Sequence, residues 1–471
     1  MGRLFLLDRL LILLFLSCIC AQQSNGQSSK KTNIIIILAD DLGYADVGFN
    51  GCKDIPTPNI DRIANEGVKF TNAYVTYAVC GPSRAGLITG RYQDRFGFAR
   101  NPLFAPNDRD MGLPLTEQTL ATVLKPANYK SVILGKWHLG AHKDLHPLNR
   151  GFDDFFGFLS GGHDYFPENW TLKDPFEAKS QFDGYKTKLL RNFERIEEQE
   201  YLTDALSREA VQYIETYKEQ PFFMYLAYNA PHTPLQATEK YLERFNHIKN
   251  SKRKAYAAMV SAMDDGIGKV LDKLESLNLS NDTIVFFLSD NGGPEKVNGS
   301  NNGILRGGKG DLFEGGIHIP FAMRWPAQVK GNLVFNKPVS SLDIFATAIQ
   351  PVVNRIKLKK ALDGVDLVPF VKGEIEEPPH SNIFWRKFDA NWFAVRSSDG
   401  NKILSKNEKL SLFNVQQHIS ESVEVDNKEL EARLLKKYKI WKSQLKPPSF
   451  LGLLQNNEYN KLHPNRFKKN E

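Results

Sequence analysis

Four short apolar runs each end abruptly in polar residues, and this repeated junction constrains the fold more than any other feature. Residues 33–38 (NIIIIL) run into Ala39-Asp40-Asp41, and residues 131–134 into Gly135-Lys136-Trp137-His138. Residues 222–226 lead to Asn229-Ala230-Pro231-His232, and residues 284–288 to Ser289-Asp290-Asn291. Runs this short, rich in β-branched and aromatic side chains and without polar alternation, read as strands buried on both faces. Helical spacing occupies stretches between and after them: residues 60–67 behind a Thr-Pro-Asn start, 257–277 and 341–352. The alternation predicts an α/β fold with a large mixed, mostly parallel sheet flanked by helices. In such sheets ligands collect beyond the carboxyl ends of the strands. Four strand ends carrying Asp, Lys, His and Asn therefore predict one shared site.

The texture changes after about residue 357. Residues 382–385, 392–396 and 402–404 read as short antiparallel strands, and Leu430, Leu434, Tyr438, Trp441 and Leu445 share one helical face. The expected organisation is a large domain over residues 33–356, a small C-terminal antiparallel sheet-plus-helix subdomain over 357–447 and a basic tail over 448–471. From Glu431 onward ten Lys and Arg face three acids, a surplus equal to the whole formal net charge of +7. Such a tail either attracts a polyanion or is a solvated helix face followed by a ragged end. No nucleic-acid partner is expected. Residues 165–200 read as inserted loops near the mouth of the site, and the Gly-rich stretch 291–316 as a lid over it.

The N-terminus reads as a secretory signal over residues 1–21: Arg3 and Arg9 bracket the basic region, residues 10–16 are apolar, and Ala21 suits cleavage. Residues 22–32 then form a flexible mature terminus. The apolar run is too short to span a bilayer, and no later transmembrane span is expected. The protein is thus expected to be secreted or periplasmic. Cys18, after Phe-Leu-Ser, resembles a lipoprotein box, and a cell-surface lipoprotein anchored through Cys18 is the alternative. Cleavage leaves two cysteines, Cys52 and Cys80, which in a secreted chain ordinarily suggests a disulfide. Four N-x-S/T sequons (Asn169, Asn278, Asn281, Asn298) matter only in a eukaryotic secretory pathway.

The strand-end residues carry their own chemical logic. Asp40, Asp41, Asp290 and Asn291 form an all-oxygen set that suits a hard cation such as Ca²⁺ or Mg²⁺. Three crowded carboxylates also require positive charge nearby. Each pair taken alone fits a cap or loop role equally well. Cys80 precedes Pro82, a residue favoured in the first turn of a helix. The thiol is therefore placed at a helix N-terminus, where the dipole favours an anion; as an isolated residue it reads as a buried apolar group or a disulfide partner. Arg84 follows one turn later on the same face. Lys136 and His138, two apart in extended chain, point to one side, one to bind an anion and one to relay a proton. His163, Asp164, Tyr165 and Trp170 in the GGHDYF region and just after it read either as a sugar-binding edge or as a packed loop.

The run Cys80-Gly81-Pro82-Ser83-Arg84, closing at Gly90-Arg91, resembles the C-x-P-S-R signature of the type I sulfatases within the alkaline phosphatase superfamily. LADDLG at 38–43, GKWHLG at 135–140, APHTP at 230–234, SDNGG at 289–293 and RGGKGDLFEGG at 306–316 extend the likeness from Asn33 to about Trp441, most densely up to Arg91. The resemblance implies that Cys80 is oxidised to formylglycine by a formylglycine-generating or an anaerobic sulfatase-maturating enzyme, which leaves Cys52 unpaired. It implies that Asp40, Asp41, Asp290, Asn291 and the side chain at position 80 hold Ca²⁺, with Mg²⁺ as the alternative ion. Cys80, Arg84, Lys136, His138, His232 and Lys309 are the implied catalytic set. His318, in GGIHIP, stands where relatives often carry arginine.

The activity so implied is hydrolysis of a sulfate ester on a carbohydrate. Around residues 161–166 the sequence is similar to marine bacterial sulfatases acting on ulvan or carrageenan, and also to N-acetylgalactosamine sulfatases acting on glycosaminoglycans; the algal reading is favoured. A phosphoesterase of the same superfamily is the rival enzyme, but it would place Ser or Thr at the nucleophile and several His on two zinc ions. A non-catalytic carbohydrate-binding protein is the rival outside enzymes, if Cys80 stays unconverted.

Overall fold

The computed structural model describes residues 32–469. The expected leader, its Cys18 and all but the last residue of the flexible mature terminus lie outside the described residues. Ten strands form the main sheet: β1 (Asn33–Ala39), β2 (Val68–Phe70), β3 (Lys130–Lys136), β4 (Asp154–Phe158), β5 (Leu190–Arg191), β6 (Glu194–Arg195), β7 (Phe222–Ala227), β8 (Thr283–Ser289), β9 (Phe321–Arg324) and β10 (Leu333–Phe335). Their spatial order is β10-β2-β9-β8-β1-β7-β3-β4-β5-β6. The centre, β8-β1-β7-β3-β4, is parallel, and antiparallel pairs lie toward both edges. All four predicted apolar runs fall in this parallel block.

The lack of alternation in those runs has a direct cause. Along β1, Ile34, Ile36 and Leu38 enter one apolar cluster while Ile35 and Ile37 enter the other on the opposite face. Both faces are covered, so each position is apolar. Helices α1 (Pro58–Asn65), α3 (Leu202–Tyr217) and α4 (Ser251–Ser276) cover one face; α2 (Cys80–Thr89) and α5 (Asp343–Ile349) cover the other. Among the described residues no helix is long and apolar enough to cross a membrane.

The C-terminal part is a four-stranded antiparallel meander, β11 (Asn382–Lys387), β12 (Trp392–Ser397), β13 (Asn401–Lys406) and β14 (Lys409–Asn414), with α6 (Lys428–Lys442) laid on it. Leu434, Tyr438 and Trp441 bury the predicted helical face against Tyr92, Val395 and Ile403. Strand β14 was not expected from the sequence. Its hairpin turns at Asn407-Glu408, both with left-handed φ (52° and 66°), and a Glu in place of the usual Gly conceals that two-residue turn. The meander is also not self-contained: Ile383, Trp385, Ala394, Leu404 and Phe413 join the same cluster as β1.

One expectation for these segments is corrected. Residues 448–469 are not a solvated tail. Phe450 and Tyr459 are buried, and Arg466 donates to the Phe104 carbonyl at 2.9 Å and to Asn456 and Asn460. The stretch 291–316 does reach the site, through Lys309 and Asn298, and it is held firmly. Asn302 clamps it, accepting from Gly293 N and donating back to Gly293 O at 3.0 and 2.8 Å.

A buried charge cluster fixes the meander to this Gly-rich stretch. Lys402 on β13 sits 2.8 Å from both Glu314 and Glu421. Glu314 also accepts from Tyr74 Oη at 2.7 Å and faces His318 Nδ1 at 3.1 Å. All five side chains are fully buried. His318 is thus a structural pillar, its Nε2 meeting the Thr71 carbonyl. Removing one partner strands a buried charge, which costs about 3–5 kcal/mol. Lys402→Met is expected to lower unfolding stability by about that amount in urea titration; a loss too small to measure would show that the cluster does not hold the two parts together.

Candidate active site

The site forms where β1, β3, β7 and β8 end side by side. The register sets Leu38 beside Leu288 on one side and Ala227 on the other, with Gly135 beyond Ala227. Each chain then turns into its polar residues at one level. Backbone bonds lock these turns together: Asp40 N donates to Ala230 O at 3.1 Å, and Asp290 N to Ala39 O at 3.0 Å. Asp41 has a left-handed φ of 65°, and its amide faces Asp290 Oδ1 at 3.3 Å.

Three carboxylates and three cations interlock in this space. Lys136 Nζ is in direct contact with Asp40 Oδ2. Arg84 donates from Nε to Asp290 Oδ2 at 2.9 Å and from Nη1 to the Lys136 carbonyl at 3.0 Å, with Nη2 at 3.4 Å from Asp40. Lys309 Nζ lies 2.8 Å from Asp41 Oδ2, and Asn291 Nδ2 donates to Asp41 Oδ1 at 2.7 Å. Burial alone would raise Asp41, but Lys309 and His232 outweigh it and hold the carboxyl at about 2. Burial and the charge of Asp40 push Asp290 up to about 6, with Arg84 opposing. The chain therefore supplies its own counter-charges.

Cys80 opens α2, as predicted, with its Sγ 3.6 Å from Asp40 Oδ1. The second amide of the helix, Gly81 N, donates to Asn101 Oδ1 at 2.8 Å. The helix end does not produce a thiolate. Burial pushes the thiol up to about 12, and the opposing pull of Lys136 and Lys309 is not enough. An unmodified Cys80 stays protonated at neutral pH and is a poor nucleophile. Cys80 and Cys52 are both free, and Cys52 donates to Asp54.

Two histidines complete the ring. His138 does not continue the extended strand as expected: β3 stops at Lys136, and His138 has φ 55°. It still faces the site. Burial and the nearby Lys136 and Arg84 hold it well below its usual range, and its Nδ1 is buried without a partner. His232 Nδ1 bonds to Thr233 O at 2.6 Å, leaving Nε2 at 3.6 Å from Asp41 Oδ2. Burial and then Lys309 bring it down to about 3. Both imidazoles are therefore neutral, His138 with an unpartnered Nδ1 and His232 with its Nε2 toward Asp41.

The predicted substrate edge is arranged differently. His163 and Tyr165 are fully buried. His163 meets the Asp164 and Thr187 carbonyls at 2.8 and 2.7 Å, and Tyr165 Oη donates to His232 O at 2.8 Å. Asp164 accepts from Gln236 at 2.8 Å, and Trp170 is buried and donates to the Asp164 carbonyl. Tyr165 braces the His232 turn, and the others pack the loop itself. The preceding glycines are the ones in contact with the site. A Cβ on Gly161 would lie 2.7 Å from His138 Nε2, and one on Gly162 2.6 Å from the Tyr185 ring. Tyr185 is half-buried, beside exposed Phe182, and the charges of Lys309, Cys80, Asp40 and Asp41 all act on its hydroxyl. Sequence reading left it inside an unassigned loop. Asn298, read as a sequon, is fully buried and donates to Asp41 O at 3.2 Å, which leaves no room for a glycan.

One ligand atom each from Asp40, Asp41, Cys80 and His232 lies within 4.8 Å of the other three, so this buried group can hold a metal ion. Asn291 adjoins it with a buried Oδ1 that has no hydrogen-bond partner. A buried Cys80 beside a group that can hold a metal ion, ringed by Lys, Arg and neutral His, suits the binding of anionic esters. The Sulfatase family model matches residues 32–351, and the chain belongs to that family: it is a sulfuric ester hydrolase. It is 34% identical over 364 residues to N-acetylgalactosamine-6-sulfatase of Mus musculus, covering 74% of this chain and 68% of that protein. It is 31% identical over 432 residues to steryl-sulfatase of Homo sapiens, covering 77% and 73%. The crystal structure of Ps i-CgsB in complex with k-i-k-neocarrahexaose superposes with a TM-score of 0.85 at 39% identity, covering 93% of this chain and all of that one.

The contact between Gly161 and His138 is directly testable. Gly161→Ala forces the imidazole aside. Displacements near 1 Å can cost about 100-fold in rate, so sulfate release is expected to fall by about that factor with the unfolding midpoint little changed. Full activity in this variant would remove His138 from the reacting centre.

Proposed function

We propose that the protein removes sulfate from a sulfated carbohydrate, using formylglycine at position 80 and a bound Ca²⁺. The carrying observation is the position of Cys80: at a helix start, against Asp40, inside a site whose own charges already cancel. The thiol sulfur stands where a hydroxyl of the hydrated aldehyde would sit. The residues suit the cation: carboxylates and the unpaired Asn291 oxygen are hard donors that favour Ca²⁺ or Mg²⁺. His232 could also ligate a softer ion, but its Nε2 serves the ester oxygen in this reading.

When bound, these groups supply a charge that activates a hydroxyl and a carbon bearing two hydroxyls, one to accept the sulfuryl group and one to expel it. Adding a divalent ion to three carboxylates and three cations leaves the site with two excess positive charges. That excess attracts a sulfate ester and offsets charge developing on its oxygens. Lys136 and Lys309 face those oxygens as fixed point charges. Arg84 orients Asp40 and Asp290 through its contacts with both carboxylates. Lys309 stays protonated because Asp41 holds its charge against burial, so it donates to the departing sugar oxygen. His138, neutral with a free nitrogen, takes the proton that permits release of sulfate.

The substrate reading favours an algal galactan of the kind bound by Ps i-CgsB, with the glycosaminoglycan reading second. Tyr185 and Phe182 offer an aromatic edge at the mouth on which a sugar can stack.

Intact-mass measurement is expected to give a polypeptide about 18 Da lighter than its cysteine form. Cys80→Ala is expected to lose all turnover and keep its fold; substantial residual hydrolysis would sink the reading. Chelation by EGTA should abolish sulfate release, and added Ca²⁺ should restore it. At 100 times its Kd the ion should raise stability by about 2.7 kcal/mol, seen as a rise in melting temperature. Retention of full activity after exhaustive chelation would exclude the metal.

A further inference from the structure

A cavity of about 530 Å³ opens near the ends of β3 and β4. Its notable lining side chains are Lys143, Lys173, Arg195 and Lys469, with Phe176 and Phe193 as aromatic surfaces. Ala141 and Leu159 also line it. Ala141 is three residues beyond His138, and Leu159 is two before Gly161, against which the His138 ring rests. A chain spans at most about 3.6 Å per residue, so the cavity wall comes within about 11 Å of the catalytic histidine. A saccharide whose ester sits at Cys80 can place a neighbouring ring there.

The charge in this cavity is not internally matched, unlike that of the catalytic site. Asp174 is the one carboxylate in its wall, and it caps a turn by accepting from Phe176 N at 2.9 Å. Lys143, Lys173 and Lys469 have no carboxylate partner among the described residues. Arg195 is half-buried, donates to the Lys188 carbonyl, and is drawn down to about 10 by desolvation, with Asp174 opposing. A guanidinium withdrawn from water without a carboxylate is costly, and an incoming anion removes the cost. Phe193 is exposed, its ring 4.5 Å from that of His146, and offers an apolar face to a sugar ring. A cavity of this size admits one or two rings, not a duplex or a membrane surface.

We infer that this cavity is a second saccharide subsite that binds another sulfate group of the same substrate chain, through Lys143, Lys173 and Arg195. The inference rests on the carbohydrate sulfatase reading above. The test uses the full-length matured enzyme and the Lys143→Ala/Lys173→Ala double variant, with an ι-carrageenan tetrasaccharide and with 4-nitrocatechol sulfate. The double variant is expected to lose about ten-fold or more in kcat/KM on the tetrasaccharide, mainly through KM, as charged hydrogen bonds of this kind imply. Its kcat/KM on 4-nitrocatechol sulfate should stay within about two-fold, because that probe is too small to reach the cavity. Equal losses on both substrates, or none on either, would overturn the subsite. If the wild type hydrolyses neither substrate, the functional reading fails by itself, and calorimetry then decides the subsite separately. Tighter binding of the tetrasaccharide than of its desulfated form, with the difference lost in the double variant, supports it. No such difference, or equally tight binding of a short oligothymidylate, refutes it.

Discussion

The structure turns on a buried balance of charge. Asp40, Asp41 and Asp290 lie buried together at the ends of β1 and β8, where uncompensated charge is costly. Arg84, Lys136 and Lys309 reach them from a helix, a strand end and a loop that are far apart in the chain. Each cation binds a different part of the chain to the same centre. The balance thus builds the pocket and also sets its charge.

This balance explains why so much of the protein serves positions rather than contacts. The Gly-rich stretch must carry Lys309 to Asp41, and it is held by Asn302 on one side and by the buried Glu314–Lys402–Glu421 cluster on the other. The C-terminal meander is therefore part of the support for the site. His232 is braced in the same way by Tyr165, and Asp41 by Asn298. The proposed saccharide surfaces lie outside this shell, on loops around Tyr185 and Phe193, where variation does not disturb the charge balance.

The sequence was most legible where period and burial agree. Apolar runs with no alternation exist because both faces of the sheet are covered, so their reading as central strands held for β1, β3, β7 and β8. The helical face of Leu434, Tyr438 and Trp441 was legible for the same reason. Strand β14 was missed because its turn is carried by Asn407 and Glu408 without glycine. The packed state of residues 448–469 was missed because its anchors, Phe450, Tyr459 and Arg466, are isolated in a basic stretch. Composition reports charge, not the partners that absorb it.

At the site, the sequence by itself determined which residue types gather: polar groups directly after buried strands must meet at one edge of a parallel sheet. It also marked Cys80, through Pro82 and Arg84, as a helix start facing that edge. Tertiary structure decided how those residues divide the work. It turned Arg84 inward to the carboxylates, placed Tyr165 against the His232 turn, and brought Tyr185 over Gly162 from a loop more than twenty residues away. The physical reason is that a strand end fixes where the backbone stops, while the direction of a side chain depends on which neighbours fill the space beside it. Those neighbours come from parts of the chain that no local pattern connects.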